Sequence, residues 1–86
     1  MSLLTIIDVR EPNEYASGHV QGAINIPLDE VTHSSKELAS LARDSQIVVY
    51  CLSGRRSGIA SNRLTSMGFT NVVNGINTKH VQAKYL

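Results

Sequence analysis

The sequence holds one cysteine, no tryptophan, one phenylalanine and two prolines in 86 residues. A lone cysteine excludes an internal disulfide, and three scattered histidines do not supply the Cys/His spacing of a metal site. No metal is therefore expected, nor is an organic cofactor needed. Charge of either sign is in short supply: eight Lys+Arg stand against seven Asp+Glu, for a formal net charge of +1. That balance offers no electrostatic footprint for nucleic acid or an anionic membrane, and neither is expected as a partner. No apolar run approaches the length of a transmembrane helix. No signal peptide is visible either, because strand-like residues begin by Leu3 or Leu4. Repeats, low-complexity tracts and linkers are missing too. What remains is ordinary globular composition, 42% apolar and 17% charged, expected to form a single domain over residues 1–86 and to act as a monomer. A chain this short buries roughly 60% of its unfolded surface, so a shallow pocket is expected.

The pattern alternates strands with helices. Leu4-Thr5-Ile6-Ile7-Asp8-Val9 has little polar alternation, as in a strand buried on both faces. Pro12 sits just inside a short helix, Glu11 to Ala16, that Gly18 ends. Ala23-Ile24-Asn25-Ile26 reads as a second strand, stopped by Pro27. Ser34 with Glu37 signals a capping box, and Leu38, Leu41 and Ala42 follow helical spacing, predicting a helix over Ser35 to Arg43. Gln46 to Tyr50 is a β-branched run ending at Cys51. Ala60, Leu64 and Met67 mark one face of a helix from about Ser57 to Met67, closed by Gly68. Asn71-Val72-Val73 is a last short strand, and the tail from Ile76 to Leu86 is expected to be helical. Strands separated by helices imply crossover connections and an α/β fold with a mostly parallel sheet. Ligands of such sheets bind outside the carboxyl ends of the strands, which is where Cys51 falls.

Cys51 has two readings. Cysteine packs readily, so it can simply fill the end of a core strand. Its surroundings favour a nucleophile. Cys51-Leu52-Ser53-Gly54-Arg55-Arg56 joins a strand end to a helix start, where backbone N–H groups are uncommitted. Gly54 permits the positive φ by which such a loop curls round an anion, and the helix end and two arginines add positive potential. Each of these favours the thiolate, the reactive form.

Three motifs then carry a resemblance. Asp8-Val9-Arg10-Glu11-Pro12-Asn13-Glu14-Tyr15 and Gly18-His19-Val20-Gln21-Gly22-Ala23-Ile24-Asn25-Ile26-Pro27 resemble the two leading motifs of the rhodanese domain. Cys51-Leu52-Ser53-Gly54-Arg55-Arg56-Ser57 resembles its active-site loop, and Gly68-Phe69-Thr70-Asn71-Val72 the segment entering its last strand. The likeness runs in order from about Ile6 to Gly75. It implies a three-layer fold, a sheet of about four or five short strands with helices on both faces. It also implies a sulfurtransferase in which Cys51 takes sulfur from thiosulfate as a persulfide. Cyanide or a thiol, including that of a small redox protein, would then remove the sulfur. Leu52, Ser53, Gly54, Arg55, Arg56 and Ser57 would form the substrate-binding loop. Within it Arg55, at the loop's crown, would meet the incoming sulfonate, and Arg56 would anchor the loop. Asp8 and Arg10 would pair beneath the loop in support, or serve structure alone as a helix cap and an ion pair. His19 is expected to support a turn, and neither His33 nor His80 is linked to Cys51 by any motif.

Two rivals share the chemistry of a cysteine loop. Protein phosphatases place five residues between cysteine and arginine, whereas four separate Cys51 from Arg56. The shorter ring suits one sulfur atom better than a tetrahedral phosphate, and the same objection meets an arsenate reductase. A non-enzymatic sulfur carrier, protein-binding module or oxidant sensor is the other alternative, although a sensor would lack a resolving cysteine here. The tail departs from the common rhodanese pattern, with one glycine in Asn74-Gly75-Ile76-Asn77 and no tryptophan. This, the short stretch from Pro27 to Gln46, Tyr50-Cys51 and Ser66-Met67-Gly68-Phe69 are more similar to the small, stand-alone phage-shock protein E type. That type is exported to the bacterial periplasm, the expected address, with the cytoplasm as the alternative.

Overall fold

The computed structural model describes residues 4–33 and 36–86. Strand β1 (Leu4–Asp8) leads to helix α1 (Pro12–Ala16), then β2 (Ile24–Asn25), α2 (Leu28–Thr32) and α3 (Lys36–Ala39). Strand β3 (Gln46–Cys51), helix α4 (Arg55–Ser66), strand β4 (Val72–Asn77) and helix α5 (Thr78–Tyr85) follow. The four strands form one sheet in the order β2-β1-β3-β4, and every pairing is parallel.

Strand alternation sends β1 and β3 side chains to two separate cores. Ile7, Val9, Val49 and Cys51 face Val31 of α2, Leu38 of α3, and Ala60 and Leu64 of α4. Ile6, Val48 and Tyr50 face Val81 of α5, with Tyr15 of α1 and Tyr85 packed at the edge. Helices therefore cover both faces, and the expected three-layer α/β architecture is present. The sheet winds outward from β1 in one direction to β2 and in the other to β3 and β4. The crevice between the carboxyl ends of β1 and β3 is the point where winding reverses, the usual ligand position in such sheets.

Several elements differ from the sequence reading for local reasons. The helix expected over Ser35 to Arg43 is confined to Lys36–Ala39, and the Ser34 side of its capping box lies outside the described residues. The Ser40 hydroxyl donates to the Glu37 carbonyl at 2.9 Å, competing with the helical ladder. Just beyond, the Arg43 carbonyl accepts the Thr70 N–H at 2.9 Å and its guanidinium lies 4.5 Å over the Phe69 ring. Tertiary contacts thus draw this segment out of the helix. Helix α2 was not foreseen; five residues are too few to show a helical period, though Pro27 before it and Asp29 and Glu30 in its first turn are start signals. Helix α4 begins two residues earlier than expected, at Arg55.

Strand β4 runs on to Asn77 rather than stopping at Val73, through a bulge opposite Val49 and Tyr50. Gly75 makes that bulge possible. A Cβ there would lie 2.7 Å from both Val48 Cγ1 and Val81 Cγ2 and 3.1 Å from the Val49 carbonyl oxygen. The tail helix starts two residues later than expected because Asn77 caps it, accepting the His80 N–H at 2.8 Å.

Candidate active site

Cys51 is the last residue of β3 and is only 1% exposed, so it fills a core position and also ends in the loop. Its two readings are therefore compatible. Gly54, with φ +93°, turns the chain into α4 as its N-cap. That turn aims backbone donors at the sulfur: the Gly54 N–H lies 3.2 Å from Sγ and the Ser57 N–H 3.4 Å. The Ser57 hydroxyl oxygen is 3.4 Å from Sγ. Burial pushes the Cys51 thiol up. Hydrogen bonds from the Ser57 hydroxyl and from the N–H groups of Ser57, Ser53 and Gly54 more than reverse this, carrying it from 9.0 down to about 7.

The two arginines separate. Arg56 forms a two-pronged ion pair with Glu14 of α1, 2.7 Å to Oε1 and 3.1 Å to Oε2. Glu14 Oε1 also accepts the Glu11 N–H at 2.9 Å. The Arg56 guanidinium and the Glu11 N–H together hold the Glu14 carboxyl down at about 2. Glu14 stays ionised, and Arg56, pulled further up by Glu14 and by Cys51, keeps its charge near the sulfur. Arg55 is the first residue of α4 rather than the crown of the loop. It is exposed, and its side chain makes no ion pair or hydrogen bond among the described residues. Leu52 lies outermost, 59% exposed, and Ser53 is also exposed.

Asp8 and Arg10 do pair, but not beneath the Cys51 side of the sheet. Asp8 shares its face with Ile6, Val48 and Tyr50, opposite the face of Cys51. Its carboxylate accepts the Arg10 backbone N–H at 2.9 Å, Nε at 2.9 and 3.0 Å, and Nη2 at 2.6 Å. It caps no helix. The Tyr50 hydroxyl donates to Asp8 Oδ2 at 2.9 Å and accepts the Val20 N–H at 3.0 Å. Burial pushes the Tyr50 phenol up, so it remains a donor. Arg10 also donates to the Gly18 carbonyl at 2.7 Å. The group braces β1, β3 and the loop before β2. His19 stacks on the Tyr15 ring, 3.6 Å between centroids, with Nδ1 2.8 Å from the Tyr15 carbonyl, and is not among the hydrogen-bond partners of Cys51.

Two residues at the site had no role in the sequence reading. Glu14 lies within the first leading motif, but nothing in spacing ties it to Arg56, 42 positions away. Asn74 comes from β4: it accepts the Ser57 hydroxyl at 2.6 Å and donates to the Gly54 carbonyl at 3.1 Å. Its position depends on the β3–β4 register, which no sequence pattern prints. An open groove of about 180 Å³, lined by Leu4, Gln46, Val73 and Tyr85 among others, lies at the amino ends of the strands. It is at the opposite end of the sheet from Cys51 and brings no nucleophile with it.

A family model described as the rhodanese-like domain matches residues 2–76. The thiosulfate sulfurtransferase PspE of Escherichia coli is 46% identical over 77 residues, covering 87% of this chain and 71% of that protein. A putative sulfur carrier protein of Bacillus subtilis, YrkF, is 41% identical over 71 residues, covering 83% of this chain but only 37% of its own length. Among solved structures, a rhodanese with anions from E. coli superposes with a TM-score of 0.81 at 44% identity, covering 91% of each chain.

Proposed function

The chain belongs to the rhodanese-like domain family and is a sulfurtransferase, and from that premise we propose that it moves the outer sulfur of thiosulfate to cyanide or a thiol through a persulfide on Cys51. The observation that carries this reading is the sulfur held by the Gly54 and Ser57 N–H groups with its thiol brought down to about 7. The Cys51 thiolate attacks the outer sulfur of thiosulfate. The S–S bond of thiosulfate breaks, sulfite leaves with the bonding pair, and Cys51 carries S–S⁻. Cyanide or a thiolate next attacks the terminal sulfur and leaves as thiocyanate or a new persulfide, which restores the Cys51 thiolate. Every state on the enzyme is anionic, so donors preorganised by the loop serve both half-reactions. The sulfur-carrier alternative shares the first half-reaction and differs only in which protein accepts the sulfur.

The pH dependence of sulfur loading tests this directly. The thiolate is the form present above the thiol's pKa, so loading from thiosulfate should rise with pH and level off above about 8. At pH 6, one unit below a thiol at about 7, the rate should be about a tenth of its plateau. A midpoint near 9 would mean that the loop does not activate Cys51.

Arg55 is the candidate for binding the sulfonate end, since it is exposed and its guanidinium is uncommitted among the described residues. Arg55→Ala should raise the KM for thiosulfate by about tenfold, as expected for one charge-assisted contact, and leave kcat within about twofold. An unchanged KM removes Arg55 from substrate binding.

A further inference from the structure

The Ser57 hydroxyl has one hydrogen and two acceptors within reach. Its oxygen lies 2.6 Å from Asn74 Oδ1 and 3.4 Å from Cys51 Sγ, and the residue is fully buried. While the sulfur is a neutral thiol, S–H can donate to Ser57 Oγ and the hydroxyl to Asn74. An anionic sulfur only accepts, so the hydroxyl can serve it only by turning towards it. Such a turn would ordinarily strand the amide oxygen it leaves. Here Asn74 Oδ1 also accepts the Ile76 N–H at 3.0 Å. Ile76 itself takes φ +73° at the β4 bulge, a conformation unfavourable for a β-branched residue. The other side of the amide stays on the Gly54 carbonyl.

We propose that Asn74 is a positioning residue that takes the Ser57 hydroxyl while Cys51 is neutral and yields it to the sulfur when Cys51 is anionic, the Ile76 N–H keeping the amide oxygen bonded in both states. Only the S–H bond breaks, and its proton passes to solvent. The inference rests on the nucleophilic role proposed for Cys51. Few charges complicate it. Arg56 of α4 attracts the anion and is pinned by Glu14 of α1. Asp8 at the end of β1 and its partner Arg10 lie on the far face, and β4 carries no ionisable side chain. The ionisable residues of α2, α3 and α5 are exposed or only half-buried.

The test is the pH titration of Cys51 alkylation by iodoacetamide, clean because the chain has one cysteine. Asn74→Ala removes the competing acceptor and should lower the midpoint by about half to one pH unit, the worth of one neutral hydrogen bond. Asn74→Asp holds the hydroxyl on a carboxylate and should raise it by at least about one unit. Ser57→Ala and Ser57→Ala/Asn74→Ala should titrate together, since no hydroxyl is left to redirect. A merely structural role would loosen the loop and move both Asn74 variants upward; that result, or an Asn74→Ala shift that persists without Ser57, overturns the proposal. If Asn74→Ala does not fold, the Asn74→Asp rise must shrink in a Ser57→Ala background, and an undiminished rise overturns the proposal equally. Sulfur uptake from thiosulfate is scored on the same samples. No uptake by the unsubstituted protein removes the nucleophile reading, whereas uptake with the wrong titration pattern removes the Asn74 role alone.

Discussion

Cys51→Ser is expected to abolish sulfur transfer, by several orders of magnitude, while leaving the fold in place. The loss follows from the nucleophile itself. A serine hydroxyl stays protonated at neutral pH, and among the described residues no histidine or carboxylate is hydrogen-bonded at position 51 to activate it; the sulfur instead meets the Gly54 and Ser57 N–H groups, donors suited to an anion. Retention of fold follows from the same contacts. The smaller oxygen can still accept those hydrogen bonds, and the lost packing at a buried site costs on the order of 1 kcal/mol. Thermal unfolding and thiosulfate:cyanide turnover measured on one preparation check both halves. Residual turnover near the unsubstituted rate would mean that Cys51 is not the sulfur-bearing residue.

The largest effect on stability is expected at Asp8. This carboxylate has no exposed surface and accepts four contacts from Arg10 and one from Tyr50. Asp8→Ala would leave the side chain of Arg10, a residue only 6% exposed, with the Gly18 carbonyl as its remaining hydrogen-bond acceptor and the Tyr50 ring 5.6 Å away. Removing one member of a buried pair costs about 3–5 kcal/mol, because the other charge is left uncompensated. Against a total stability of about 5–15 kcal/mol that is a large share, and the thermal midpoint should fall by more than about 10 °C. Because Asp8 lies on the face away from Cys51, the folded fraction of Asp8→Ala at low temperature should load sulfur within about threefold of the unsubstituted rate. A fully stable Asp8→Ala protein that fails to load would instead place Asp8 in the catalytic machinery.

These two residues show where the sequence was legible. The continuous run Gln46 to Cys51 announced β3, and the glycine and arginines after it announced an anion-stabilising loop; Gly54 occupies the left-handed conformation for which it was singled out. The face on which Asp8 lies was hidden for a physical reason. Strands β1 and β3 are buried on both sides, so apolar residues occupy both parities and hydropathy carries no alternation to read. Only the pairing of Asp8 with Tyr50 assigns the face. Glu14 and Asn74 were unreadable for a related reason, since their contacts with Arg56 and Ser57 depend on how α1 and β4 dock on the sheet. The bulge at Gly75 further disguised β4, because it breaks the strand period.

Cys51 is expected to accept and release a single sulfur atom. Intact-mass measurement of the whole chain after brief treatment with thiosulfate tests it most directly. A gain of one sulfur atom is expected, located on Cys51 by fragmentation, absent in Cys51→Ser and removed by cyanide with return to the starting mass. No gain on the folded, unsubstituted protein, or an adduct that cyanide does not remove, would contradict it.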